Sequence, residues 1–327
     1  MTATNHLPSS ANSPSTEPVS LTRRSVLRAG AAGGLFAASG AAALLSGCGS
    51  GDIVSALQPA RFIAFGDGMS DLGQGGARYT VNDGTVNIWA ERVANRYGKT
   101  LTAQAVGGLG YAQGHAATDD MPRSMAAQID AFLSANTIGT SDVVLMNIPL
   151  SYVLRPVAAV KAGTLTQTAA LQQIADSAVA LSSQVKRLIA SGAKYIVVAG
   201  AYDVGRSPYG IAMELPSMLT SETQRSSAAV THLNDRFKIE VATLGANVLF
   251  VDAAFLVNRN VQFGPNWGFV NSNKALCTTP TALTCTDSTL TAGATKSQYL
   301  FADNIHLTPA GNQQLGDYAY DQLRGRW

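Results

Sequence analysis

The sequence has few charged residues, and their signs balance. Its 327 residues include 23 Lys and Arg against 21 Asp and Glu, so that charged residues make up 13% of the chain. No segment rich in Lys and Arg interrupts this balance. Because binding to nucleic acid requires a concentrated basic surface, the composition predicts no nucleic-acid partner.

Histidine and cysteine are scarce as well, with 4 and 3 copies. His115 and His232 lack the spacing of metal ligands, and we interpret them as ordinary polar positions. The glycine-rich stretch from Gly107 to Gly114 does not have the Gly-x-Gly-x-x-Gly spacing, and no acidic residue follows at about 20 residues, as a dinucleotide site would require. We therefore predict neither a metal site nor a cofactor.

Long apolar runs and internal repeats are missing too. Residues 29–45 are apolar, but this run is short and rich in Gly and Ala, so it does not predict a membrane span. No repeat with a period of about 20 to 50 residues occurs, and no linker divides residues 60–327. These residues are predicted to form one domain.

Residues 1–47 contain, in order, the parts of a bacterial export signal. A polar stretch precedes Thr22-Arg23-Arg24-Ser25-Val26-Leu27-Arg28, which resembles a twin-arginine export motif. The apolar run follows and ends in Leu45-Ser46-Gly47-Cys48, which resembles a lipobox. We expect acylation of Cys48 and removal of residues 1–47. The alternative is an ordinary cleaved signal in which the cysteine has no role.

Acylation at Cys48 predicts an exported protein of the cell envelope, held to the membrane by its lipid. Gly49 follows the cysteine where an aspartate would resemble an inner-membrane retention signal, which favours the outer membrane and the periplasm of a bacterium. Residues 48–59 then serve as a tether. Removal of the signal takes three arginines and Glu17, and the mature chain has a formal net charge of about zero.

Besides Cys48, the mature chain contains Cys277 and Cys285, in a loop rich in Thr and Pro. Export would place them where disulfides persist, and we predict a disulfide between them. Zinc binding is the alternative, but nothing nearby supplies two further ligands.

Short apolar runs alternate with longer amphipathic segments, which is typical of an α/β domain with a parallel sheet. The predicted strands are almost wholly apolar, as strands buried on both faces are; they cover residues 62–65, 143–148, 195–199 and 248–251. The predicted helices cover residues 87–97, 121–135, 166–190, 221–244 and 308–323. Residues 263–298 are long for a loop and are interpreted as a functional flap or a stapled surface segment.

Ligands of such sheets bind at the carboxyl ends of the strands, and a distinctive motif follows the first strand. The sequence Phe65-Gly66-Asp67-Gly68-Met69-Ser70-Asp71 resembles the opening motif of the GDSL (SGNH) hydrolases, whose third position is the attacking serine. That position is Gly68 in this chain. The resemblance extends over residues 60–327 and implies a doubly wound, mostly parallel sheet with flanking helices in a single domain, the flavodoxin-like fold of these hydrolases.

Near the carboxyl terminus, Asp303-Asn304-Ile305-His306 resembles the second catalytic block of the same family. The resemblance implies that Asp303 orients His306 and that His306 acts as general base. Thr308 and Pro309 are predicted to cap and begin the last helix, which places the pair on the turn before it. Without the family motif, the pair would be read as a helix cap and a surface residue.

The oxyanion hole of the family is only partly represented. Ala105-Val106-Gly107-Gly108 resembles the block that supplies a glycine amide, which makes Gly107 and Gly108 the expected donors. The block that normally carries an asparagine donor reads Asn147-Ile148-Pro149-Leu150-Ser151 here, with Leu150 at the position of the asparagine.

Ser70 has a hydroxyl that would serve as a substitute nucleophile, but it lies two residues from the family position. That displacement is about 6.5 to 7 Å in an extended chain, and about 1 Å of misplacement can already cost 10²-fold in rate. We expect Ser70 to cap the following helix or to bond within the turn. A second route is a water molecule in the space left by the serine, activated by His306.

Two functions fit these observations. The first is a cell-envelope lipoprotein related to carboxyl-ester hydrolases, whose hydrolysis of acyl esters or lipid-like molecules is weak or lost because of Gly68. The second is a non-catalytic protein that binds an acyl or glycan ligand in the old active-site pocket.

Overall fold

The computed structural model describes residues 56–116, 123–212 and 225–327. The predicted export signal, Cys48 and residues 48–55 of the tether lie outside the described residues. No helix within the described ranges combines the length and hydropathy that a membrane span needs.

The core of the domain is a parallel sheet of four strands in the order β1-β2-β3-β4. The strands are β1 (Phe62–Phe65), β2 (Val143–Asn147), β3 (Tyr195–Ala199) and β4 (Val248–Val251). Every residue of β1 and β2 is buried, which is why their sequences are continuous apolar runs and do not alternate. The predicted strands are confirmed to within one residue.

Eight helices surround the sheet in the described part of the chain. They are α1 (Trp89–Arg96), α2 (Met125–Ala135), α3 (Ser151–Lys161), α4 (Gln167–Ala190), α5 (Pro208–Ala212), α6 (Arg225–Glu240), α7 (Ala253–Gln262) and α8 (Pro309–Arg326). Helix α1 packs on α8, while α2, α3 and α6 pack around α4. Because the central strands are buried on both sides, these two groups cover opposite faces of the sheet, and the predicted doubly wound α/β domain is confirmed.

Helix α3 is one of the elements that the sequence does not indicate. It contains Pro156, which has no N–H to donate and usually ends a helix. Here Tyr152, Val153 and Pro156 are buried against the core, and this packing maintains the helix. The helix follows β2 directly and therefore lies beside the carboxyl end of the sheet.

Residues 263–298 are a stapled surface segment with structure of its own. Strand β5 (Asn271–Ala275) pairs in parallel with β6 (Tyr299–Phe301), and the Cys277–Cys285 disulfide closes the loop that follows β5, with its Cα atoms 5.8 Å apart. A small second core forms around the disulfide, from Val81, Leu276, Ala282 and Ala302. This core joins the segment to the chain that follows β1.

Candidate active site

The turn after β1 is fixed by the carboxylate of Asp67. One oxygen, Oδ1, accepts bonds from the Met69 amide at 3.0 Å and from the side chain of Asn147 at 2.7 Å, and Oδ2 accepts from the Leu150 amide at 2.8 Å. Gly66 precedes it with φ +149°, where a side chain would also overlap Asn147. The turn that presents Gly68 is therefore held to the segment that follows β2.

Asp303 and His306 lie on the tight turn between β6 and α8. The Asp303 carboxylate accepts from the amides of Ile305 at 2.8 Å and His306 at 2.7 Å, and its Oδ2 lies 2.9 Å from Nδ1 of the His306 ring. Thr308 caps α8 and Pro309 begins it, as predicted. The Ala282 amide, from the disulfide loop, also donates to Asp303 at 2.8 Å.

The electrostatics of this pair favour an ion pair. Burial alone would raise the pKa of Asp303, but His306 and the backbone amides outweigh it and lower the pKa to about 2. Burial lowers the pKa of His306, yet the carboxylate of Asp303, with those of Asp67 and Asp71, more than offsets it and raises the pKa above its ordinary value. His306 therefore holds its proton more firmly than a free histidine does.

The free nitrogen of His306 is aimed at residue 68. A Cβ atom placed on Gly68 would lie 2.8 Å from Nε2 of His306. The structure therefore brings together Gly68, Asp303 and His306, the three positions that the sequence predicts for the site. Asp303 and His306 have the arrangement of orienting acid and base of a serine hydrolase, and Gly68 carries no hydroxyl.

A cavity of about 330 Å³ opens beside these groups. Most of the surface that lines it is apolar, with polar groups at a few points. The lining residues are Asp67, Gly68, Tyr79, His115, Leu150, Ser151, Leu154, Arg155, Ile305 and His306. Such a pocket suits an acyl chain next to a small polar group.

Several of these lining residues are not indicated by the sequence. His115 was interpreted as an ordinary polar position, yet it lines the cavity and has φ +61°, a left-handed conformation that is unusual for histidine. Tyr79 lies in a loop without periodicity. Leu154 and Arg155 belong to α3, the helix that Pro156 obscures. In contrast, Ser151 belongs to the segment Asn147–Ser151, which stands where the family has its asparagine block.

Ser70 does not line the cavity. It is fully buried, and its hydroxyl oxygen accepts a 2.9 Å hydrogen bond from Nε1 of Trp89. Its amide bonds to the Asp67 carbonyl at 3.0 Å, so it does bond within the turn. No helix follows it until α1, and the expected capping role is therefore wrong, as is a role as nucleophile.

Gly107 and Gly108 are also far from the site, and the role expected for them is corrected. Gly108 lines a separate cavity of about 160 Å³ with Arg61 and Phe62, at the amino end of β1, whereas Gly68 follows its carboxyl end. The reason is that residues 109–113 run alongside β1, from the Ala64 amide bonded to the Leu109 carbonyl to the Gln113 amide bonded to the Gly66 carbonyl. The glycine that reaches the site is therefore Gly114.

The hydrogen-bond donors near Gly68 are mostly occupied. The Gly114 amide donates to Asp71 at 2.9 Å. The Asn147 side chain donates to Asp67 and to the Ile148 carbonyl, and Leu150 has no polar side chain to offer. Together with the engaged Met69 amide, this leaves the Gly68 amide as a donor without an acceptor among the described residues.

Within the described residues, no group of three or more His, Cys, Asp and Glu side chains is arranged to hold a metal ion.

The comparison with known families identifies the family of the chain. The sequence pattern of the GDSL-like Lipase/Acylhydrolase family matches residues 62–319, which include Gly68, Asp303 and His306. The chain belongs to this family. No curated protein matches it in sequence.

The solved structures that resemble the chain are distant. A member of the lipolytic protein G-D-S-L family from Veillonella parvula DSM 2008 is 11% identical, with a TM-score of 0.44, and covers 80% of this chain and 96% of its own. An alpha/beta hydrolase enzyme from the metagenome of Lake Arreo, Spain, is 15% identical, with a TM-score of 0.46 and coverages of 83% and 97%. Phospholipase A1 from Streptomyces albidoflavus NA297 is 14% identical, with a TM-score of 0.41 and coverages of 82% and 99%.

Proposed function

We propose that this protein binds acyl esters or related lipid-like molecules in the family's pocket and that its ester hydrolysis is lost or strongly reduced. One observation carries the proposal. Nε2 of His306 is aimed at residue 68, 2.8 Å from the Cβ position there, and residue 68 is a glycine with no atom that can attack. The base and its orienting acid are in place without a nucleophile.

The expected loss is large. Removal of the serine from a serine hydrolase costs about 10⁶-fold in turnover. Loss of a single oxyanion donor costs about 10² to 10³-fold, although such losses do not simply add. Most of the donors that could serve here already bond to Asp67 and Asp71, so little compensation is available.

The test is an assay of the purified chain on short and medium acyl esters. We expect rates close to those of the uncatalysed reaction, together with measurable binding of a non-hydrolysable acyl ester analogue. Turnover near 10 s⁻¹, which is about the median for enzymes, would refute the proposal.

A second candidate function is slow hydrolysis by water. Nε2 of His306 has no bonding partner among the described residues, and it borders the cavity. A water molecule in the cavity could transfer a proton to Nε2 as it attacks an ester carbonyl. His306→Ala would then abolish the residual rate, and no acyl-enzyme would accumulate. A trapped acyl-enzyme would exclude this route.

We also propose that the chain is exported and anchored by a lipid at Cys48, on the evidence of the sequence motifs at residues 22–28 and 45–48. The test is a Cys48→Ser variant expressed in a bacterium with radiolabelled fatty acid. We expect label and membrane fractionation for the natural chain and neither for the variant. Equal fractionation of both would refute the anchor.

A further inference from the structure

The space into which a side chain at residue 68 would point is already filled, although the cavity lies beside it. A Cβ atom on Gly68 would lie 2.8 Å from Nε2 of His306 and 2.9 and 3.1 Å from Cγ and Cδ2 of Tyr79. Carbon atoms in favourable contact are about 3.5 to 4.0 Å apart. A serine side chain therefore does not fit at residue 68 unless a neighbour moves by roughly half an ångström or more.

Neither neighbour can move easily. The His306 ring is held by Asp303 through Nδ1, and the Tyr79 ring lies against it at a tilt of 40°, with centroids 4.7 Å apart. The Tyr79 atom concerned is Cγ, where the ring joins the chain, so that a change of rotamer or backbone is needed to withdraw it. Thr80, the next residue, donates its hydroxyl to the Leu307 carbonyl at 2.9 Å and fixes this backbone beside His306.

The other end of the Tyr79 ring depends on a second glycine. A Cβ atom on Gly114 would overlap the hydroxyl end of Tyr79. Tyr79 is 8% exposed, so its ring is buried and does not lie on the protein surface. The ring thus crosses the site from Gly68 to Gly114 and is accommodated by the absence of a side chain at both positions.

We infer that Tyr79 occupies the space that an attacking side chain at residue 68 requires, so that the closed nucleophile position belongs to Gly68, Tyr79 and Gly114 together. This inference rests on the proposed function, because it explains how a site without a nucleophile is packed. It has a specific consequence. Returning a serine to residue 68 does not restore a reactive serine while the Tyr79 ring remains.

The test compares three variants of the full chain: Gly68→Ser, Gly68→Ser with Tyr79→Ala, and Gly68→Ser with Tyr79→Phe. The phenylalanine variant is the matched control, because it keeps the ring and removes only the hydroxyl. Each is treated with an alkyl fluorophosphonate. The serine oxygen attacks phosphorus, the P–F bond breaks and fluoride leaves, while the hydroxyl proton passes to His306. Labelling measured by mass spectrometry therefore reports a serine that is both accessible and activated.

We expect labelling in the alanine variant to be about 10²-fold faster than in the other two, since about 1 Å of misplacement costs that much. If the single variant Gly68→Ser is labelled as fast as the variant that also carries Tyr79→Ala, the inference is overturned. Absence of labelling in all three, with cooperative thermal unfolding retained, would also overturn it, because removal of the ring would then have opened nothing. A Tyr79→Val background replaces alanine if that variant does not fold.

The proposed function is tested separately, by the natural chain. Ester turnover by the natural chain at about 10 s⁻¹ would refute that proposal whatever the variants do. A natural chain without turnover, together with rapid labelling of Gly68→Ser alone, would refute only the role of Tyr79.

Discussion

The packing of Tyr79 against Gly114 predicts a measurable coupling between these two residues. Gly114→Ala places a methyl group where the hydroxyl end of the Tyr79 ring lies, and either the ring or the backbone must shift. Gly114 does not have a positive φ, so that alanine brings no backbone strain of its own. The whole cost of the substitution then arises from the collision with Tyr79.

Overpacking of this kind costs about 1 to 3 kcal/mol. Tyr79→Ala removes the ring, and the loss of a buried aromatic side chain costs about 3 kcal/mol or somewhat more. In the double variant the methyl group has no ring to meet, so the two costs should not add. We expect the double variant to be more stable than the sum of the single ones by about 1 to 3 kcal/mol.

Urea unfolding of the natural chain, of the single variants Gly114→Ala and Tyr79→Ala, and of the double variant measures this coupling. Gly75→Ala is the control, because a Cβ there has nothing within 4 Å and the residue has no positive φ. It should change the free energy of unfolding by less than about 0.5 kcal/mol. If Gly114→Ala is as harmless as the control, or if its cost is the same with and without Tyr79, the described packing of the ring is wrong.

Three further predictions concern the rest of the site. Asp303→Asn removes the main charge that raises the pKa of His306, so NMR titration should show that pKa falling, and an unchanged value would contradict the described pair. Replacing Cys277 and Cys285 by alanine should lower the free energy of unfolding by about 2.5 kcal/mol, from loop entropy, in denaturant titrations; no loss would show that the loop is held by its other contacts alone. Ser70→Ala should leave any residual hydrolysis unchanged but cost about 1 to 3 kcal/mol, because a buried indole N–H loses its acceptor; loss of hydrolysis in a folded variant would restore Ser70 as a nucleophile.

The strands could be predicted from the sequence because they are buried on both faces. Residues 62–65, 195–199 and 248–251 are continuous apolar runs and form β1, β3 and β4 with the same bounds. Helices α3, α5 and α7 were not predicted. In α3 a proline opposes the helix, and tertiary packing overrides that local preference. Packing of this kind leaves no periodic signal strong enough to read.

The site was predictable where it depends on local motifs and not where it depends on contacts between distant segments. Gly68 belongs to a short pattern that follows a predicted strand, and Asp303 and His306 belong to one that precedes the last predicted helix. The expected oxyanion glycines were misplaced because the sequence does not show that residues 109–113 run alongside β1, a register that leaves Gly108 at the amino end of that strand. Tyr79 lies beside Gly68 because the loop that carries Tyr79 folds back on the turn after β1, and no local motif indicates this contact.

The retention of Asp303 and His306 is weaker evidence for hydrolysis than it appears from the sequence. Asp303 accepts hydrogen bonds from the amides of Ala282, Ile305 and His306, and so it secures both the turn and the disulfide loop whether or not a reaction occurs. His306 in turn supports the ring of Tyr79. Both residues therefore stabilise the structure around them, which is a reason for their presence even in a protein without catalysis. The proposed loss of hydrolysis therefore depends on the room at residue 68 and on the supply of oxyanion donors, and the presence of Asp303 and His306 does not decide it.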